Sequence, residues 1–170
     1  MKKQIILKWI ILSIAIVINL FIIINAFING EASAKESYSV AHTTADVINT
    51  VKPETITPQN FERFAFNLRK ALGHFMLFAL SGGFSTFALY LFINDKKCGY
   101  FVWELLITFG FGIALALLSE FVQHFTKQRT GSFIDVGIDL LGYFIGVFPV
   151  FLILFLKKSR IFYKQNYLKK

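Results

Sequence analysis

Four long apolar runs, at residues 5–28, 71–93, 100–121 and 133–156, divide this chain of 170 residues. An α-helix needs roughly 20 such residues to cross a hydrocarbon core of ~30 Å, and every run reaches that length. The expected fold is therefore all-α: an integral membrane bundle of four transmembrane helices. Hydrophobic residues make up 55% of the chain and charged residues only 16%, which leaves too little polar surface for a soluble domain of this size. A net charge of +8 would suggest nucleic acid in a soluble protein. Here the lysines gather at the ends of the apolar runs, so the charge reads as topology and no nucleic-acid partner is expected. The single cysteine, Cys98, has no internal disulfide partner and reads as an incidental loop residue.

Taken in order, residues 1–28 form an N-terminal transmembrane anchor. Ala32-Ser33-Ala34 resembles a signal-peptidase site, but the apolar run exceeds the roughly 7–15 residues of a cleaved signal, so an uncleaved anchor is expected. Residues 29–68 read as a long polar loop, in which the alternation of aromatic and charged residues at 61–70 suits a short amphipathic surface helix. Residues 94–99 make a tight polar turn, and residues 157–170 a basic and aromatic tail. Glu104, near the start of the third run, is expected to be solvated at the membrane surface. Gly142 and Gly146 form a GxxxG spacing that reads as helix packing.

Lys and Arg residues count eleven on the side of the two termini and seven on the other side. The eleven lie close to the spans or in short segments, which places both termini in the cytoplasm and the 29–68 loop outside it. The expected location is a bacterial cytoplasmic membrane, crossed several times.

Acids, an amide, a histidine and an arginine concentrate in residues 120–146. Glu120, Gln123 and His124 share one helix face, and Asp135 and Asp139 lie one turn apart. Antiparallel helices bring the start of the second span, the end of the third and the start of the fourth to one membrane face. Arg69, Lys70, His74, Glu120, Gln123, Arg129, Ser132, Asp135 and Asp139 are thus expected to meet. An isolated charge at mid-membrane costs on the order of 2.5–3.5 kcal/mol, so three bases opposite three acids suggest a mutually neutralising cluster.

Four segments then resemble a known family. Arg69-Lys70-Ala71-Leu72-Gly73-His74-Phe75, Glu120-Phe121-Val122-Gln123, the stretch Arg129-Thr130-Gly131-Ser132-Phe133-Ile134-Asp135-Val136, and Asp139-Leu140-Leu141-Gly142 with Gly146 are similar to the VanZ-like family of bacterial membrane proteins. The resemblance covers residues 69–146 and marks residues 69–156 as a three-helix core. Its named member is associated with resistance to the glycopeptide teicoplanin, so a cell-envelope role is implied. The family pattern has Asn where this chain has Asp139.

Three roles fit the cluster. It holds helix ends in register; or its bases bind an anionic membrane lipid, a lipid-linked cell-wall precursor or a lipoglycopeptide; or His74 and Glu120 act as base and acid on an envelope lipid. A metal ligand role for His74 belongs to the last of these, but no P-loop, HExxH or nucleophile motif occurs. Neither a cofactor nor a metal is expected on that ground.

Overall fold

The computed structural model describes residues 2–93 and 99–167. Cys98 and the turn expected around it (94–98) lie outside the described residues, as do Met1 and residues 168–170. Among the described residues six α-helices follow one another: α1 Lys2–Phe27, α2 Gly30–Val51, α3 Phe61–Arg69, α4 Leu77–Ile93, α5 Gly99–Phe125 and α6 Phe133–Tyr167. A π-helical segment, Lys70–Met76, joins α3 to α4 without a break. No strand occurs among the described residues. Four stretches are long and apolar enough to cross a membrane: Lys3–Phe27, Phe61–Ile93, Val102–Phe125 and Phe133–Lys157. The all-α, four-span expectation holds.

Glycine decides how closely the spans approach. A Cβ at Gly142 would collide with the Phe75 carbonyl, one at Gly146 with the Ala79 carbonyl and one at Gly82 with the Tyr143 carbonyl. Lipid tails are as apolar as leucine, so helices associate in a membrane through such close van der Waals contact. The GxxxG pair is therefore a packing device, seating α6 against the π segment and α4. Tyr143 is fully buried, with its ring over Gly112 of α5. Around it Ile22, Phe78, Leu115, Ala116, Val136 and Val147 make one core drawn from all four spans.

The first span is part of this bundle. Ser81 of α4 donates to Asn19 Oδ1 at 2.5 Å, and Asn19 Nδ2 donates to Ser85 at 3.1 Å, a polar clasp within the two spans. Nearer the start of α1, Trp9 meets Phe92 edge to face at 5.5 Å.

Two expectations need correction. Glu104 is buried, 6% exposed, because it opens an inward stripe on α5 that continues through Thr108, Leu115, Ala116, Ser119, Glu120 and Gln123. Its helical phase, rather than its depth, sets its exposure. The polar stretch 29–68 is largely a helical hairpin instead of an open loop. Asn29 caps α2 by accepting from the Ala32 N–H at 2.8 Å, and Ser33, Ser37, Ala41 and Ala45 recur every fourth residue as a stripe of small side chains. Asn49 clasps both backbone groups of Ile56, closing the turn into α3. Across the hairpin His42 stacks on Phe61 at 4.1 Å, and the Tyr38 hydroxyl donates to Glu62, which raises the phenol's pKa above its ordinary value. The short helix expected at 61–70 is α3, but it runs on into the second span. At the far end, α6 continues to Tyr167, well past the expected end of the fourth span at 156.

The hairpin's root is stapled to the α5–α6 loop. Thr126 donates to the Ala26 carbonyl at 2.9 Å and the Gly30 N–H to the Lys127 carbonyl at 3.0 Å. α2 therefore leaves α1 directly over the end of the bundle where the polar side chains collect.

Candidate functional site

Two rungs join the π segment to α6. Lys70 and His74 stand four residues apart, as do Asp135 and Asp139. Lys70 Nζ reaches Asp135 Oδ1 at 2.6 Å, and His74 Nδ1 lies 3.0 Å from Asp139 Oδ1. Segments of π-helix are rare and are often found at functional sites.

Glu120 closes the second rung from α5, with Oε1 3.8 Å from His74 Nδ1. Gln123, one turn later, donates to the same oxygen at 3.1 Å, and the Ser132 N–H donates to Oε2 at 2.9 Å. That last bond needs the loop to fold flat on α5. Gly131 permits it, since a Cβ there would strike the Glu120 carbonyl. Glu120 is 5% exposed and Asp139 0%, and Asp139 Oδ2 has no hydrogen-bond partner. A ring nitrogen of His74 and one carboxylate oxygen from each acid lie within 4.8 Å of one another, close enough for one cation to bridge them.

Beside this triad is a cavity of about 330 Å³. His74, Gln123, Arg69 and Arg129 supply its polar side; Ile22, Leu72, Phe78 and Val40 supply an apolar one. Neither arginine forms an ion pair among the described residues. Arg129 Nε is buried without a hydrogen-bond partner. Burial, with Arg69 alongside, pushes the Arg129 guanidinium below its ordinary pKa, and Glu120 partly opposes the shift. The expected matching of three bases to three acids is thus incomplete: Lys70 pairs with Asp135, and the two arginines turn to the cavity instead.

Residues 9–157 match the VanZ/LLP1 family model. The chain belongs to the VanZ/LLP1 family. No curated protein and no solved structure matches it.

The family match begins within α1 and takes in the α2–α3 hairpin, a wider extent than the 69–146 stretch whose motifs are legible by eye. All nine residues expected to meet at the span ends lie at one end of the bundle, in three groups. His74, Glu120, Gln123, Ser132 and Asp139 form one centre, in which His74 is hydrogen-bonded to Asp139, Gln123 and Ser132 are hydrogen-bonded to Glu120, and Glu120 lies 3.8 Å from His74. Lys70 and Asp135 form a separate ion pair. Arg69 and Arg129 face the cavity.

Chemically, the VanZ-family site offers an imidazole held between two carboxylates, the arrangement that moves a proton or ligates a metal, next to a basic cavity with an apolar wall. Sequence reasoning missed the cavity's contributions from α1 and α2, namely Asn25, Ser33, Glu36 and Ser37. The available signal was the i, i+3, i+4 spacing of the last three after an Asn cap, which marks one face of a helix. On the other side of the centre, Glu120 also lines an apolar groove of about 560 Å³ formed by Leu117, Leu118, Phe121, Phe133 and Val136.

Proposed function

We propose that this VanZ-family protein is a multi-pass protein of the bacterial cytoplasmic membrane whose outward-facing cavity holds the anionic headgroup of a lipid or of a lipid-linked wall component. Through that binding it confers tolerance to teicoplanin or other lipoglycopeptide antibiotics. The carrying observation is the pair Arg69 and Arg129, which both line the cavity and form no ion pair among the described residues. Two cations left together at a membrane surface make a site for phosphate or carboxylate, and Arg presents a fork of donors suited to either. The apolar wall of the cavity and the groove below Glu120 give acyl or isoprenoid chains a place to lie. The outward orientation, with both termini cytoplasmic, rests on the excess of Lys and Arg beside the other ends of the spans.

The test is a drug-susceptibility profile of a deletion strain, with a lipid inventory of its envelope. Deletion should raise susceptibility to teicoplanin. The Arg69→Gln/Arg129→Gln double variant, present at wild-type abundance, should fail to restore tolerance. Full restoration by that variant would sink the anion-binding reading.

One observation favours a second reading, a membrane-embedded enzyme acting on an envelope lipid: His74 sits 3.0 Å from Asp139 and 3.8 Å from Glu120, the geometry of a base with its orienting carboxylates. In that case His74→Gln, normally folded, abolishes function and leaves an unconverted lipid in the inventory. A binding protein with the same change shows weakened tolerance and an unchanged lipid profile.

A further inference from the structure

We infer that His74, Glu120 and Asp139 form a binding site for one divalent transition-metal ion. The inference stands apart from the lipid-binding reading, because it concerns the triad rather than the arginines and is tested without lipid or drug.

Charge is the first argument. Glu120 and Asp139 are 5% and 0% exposed within segments that cross the membrane. Burying a carboxylate costs several kcal/mol unless it is paired. Lys70 is engaged by Asp135, and Arg129 reaches Glu120 only through space, while one imidazole serves both acids. A dication on two carboxylates and a neutral imidazole brings the group to zero net charge.

Geometry is the second. Zinc bonds of about 2.0–2.2 Å to nitrogen and oxygen place tetrahedral ligands roughly 3.3 Å apart. From His74 Nδ1 the two oxygens stand at 3.0 and 3.8 Å, which brackets that spacing. Asp139 Oδ2, wholly buried, is a lone-pair donor that no group among the described residues satisfies. A buried oxygen in that state is costly unless a ligand completes it.

The surroundings are those of a held site. The three ligands come from the π segment, α5 and α6, elements locked by the glycine contacts, so the set is formed by folding. Ser132 N–H fixes the outer oxygen of Glu120 and Gln123 the inner one, the kind of support that orients metal ligands. Three protein ligands leave a fourth position open, and one of the three, His74, lines the basic cavity. An imidazole with two carboxylates favours Zn²⁺ or Mn²⁺ over Ca²⁺ or Mg²⁺. On binding, His74 presents Nδ1 as a lone pair and keeps its proton on Nε2; a proton previously on Nδ1 passes to solvent.

The experiment uses the full chain purified in detergent, stripped with a chelator and dialysed against Zn²⁺ or Mn²⁺, with bound metal measured by mass spectrometry. About one ion per chain is expected, together with a rise in the thermal midpoint. Asp139→Asn, which keeps the side chain's size, and His74→Gln should each lower affinity by about tenfold or more. Glu104→Gln, which removes a buried acid near the other end of α5, should bind as wild type. Wild-type protein without metal after loading, or equal binding by the triad variants, overturns the site. Should the variants fail to fold, pulsed EPR of the Cu²⁺-loaded wild type decides. A coupled imidazole nitrogen that survives His42→Gln/His124→Gln upholds the site, and its absence refutes it.

Discussion

Lys70 and His74 reach their acids by the same displacement, one turn along two facing helices, yet the two rungs differ in what surrounds them. The side chains of Lys70 and Asp135 are 26% and 17% exposed, so solvent shares in their interaction, whereas Asp139 has none. A double-mutant cycle with Lys70→Gln and Asp135→Asn, read from unfolding in detergent, should show a coupling of roughly 0.5–3 kcal/mol. The same cycle between Lys70 and Glu120 should show little, because Lys70 is held by Asp135. Glu120→Gln keeps an acceptor for the Ser132 N–H and removes the charge; it should weaken tolerance at normal abundance, and Lys70→Gln should not restore it. A wild-type phenotype in the single variant would exclude Glu120 from the site. At this scale the sequence told which residues share a face, since spacing alone sets that. Which base takes which acid depends on the relative rotation of two helices, and spacing does not contain it; hence Lys70 and His74 hold the acids that a count of charges alone would share with the arginines.

Among the elements, α6 shows how much depends on a missing side chain. Gly146→Leu would drive a branched side chain into the Ala79 carbonyl, and overpacking of this kind costs about 1–3 kcal/mol or more. The thermal midpoint in detergent should fall sharply, with the Lys70–Asp135 coupling lost as α6 moves off. Gly137, one turn into the same helix, meets nothing within 4 Å, so Gly137→Ala should leave stability unchanged or raise it by about 0.4–1 kcal/mol. If both variants behave alike, close approach is not what seats α6. The four spans were legible because hydropathy over 20 residues is a strong signal. α2 was not, because its register is carried by small residues, Ser33, Ser37, Ala41 and Ala45, whose inward stripe is barely more apolar than its flanks. Glu104 was misjudged for a related reason: α5 buries whatever lies on its inward phase, acid or alanine.

For the whole molecule, orientation is the property on which the proposed role depends, and Cys98 reports it. As the only thiol, in the segment joining α4 to α5, it should resist a membrane-impermeant maleimide in intact cells and react after permeabilisation. Labelling of intact cells would turn the basic cavity towards the cytoplasm and remove the wall component as its ligand. The π segment has a consequence on this scale too. A π-helical turn holds more residues than the 3.6 of an α-turn, so the rod from Phe61 to Ile93 contains surplus chain at its middle. Inserting one further residue after Gly73 would exceed what the widened turn absorbs and swing α3, with α2 clasped to it, by about 100° around the rod relative to α4. Every contact within the hairpin and every contact within the bundle would keep its own sequence, yet the two would no longer be aimed at one another. The cavity exists where two separately periodic halves are brought into phase, and the widened turn absorbs the one surplus residue that would otherwise upset that timing.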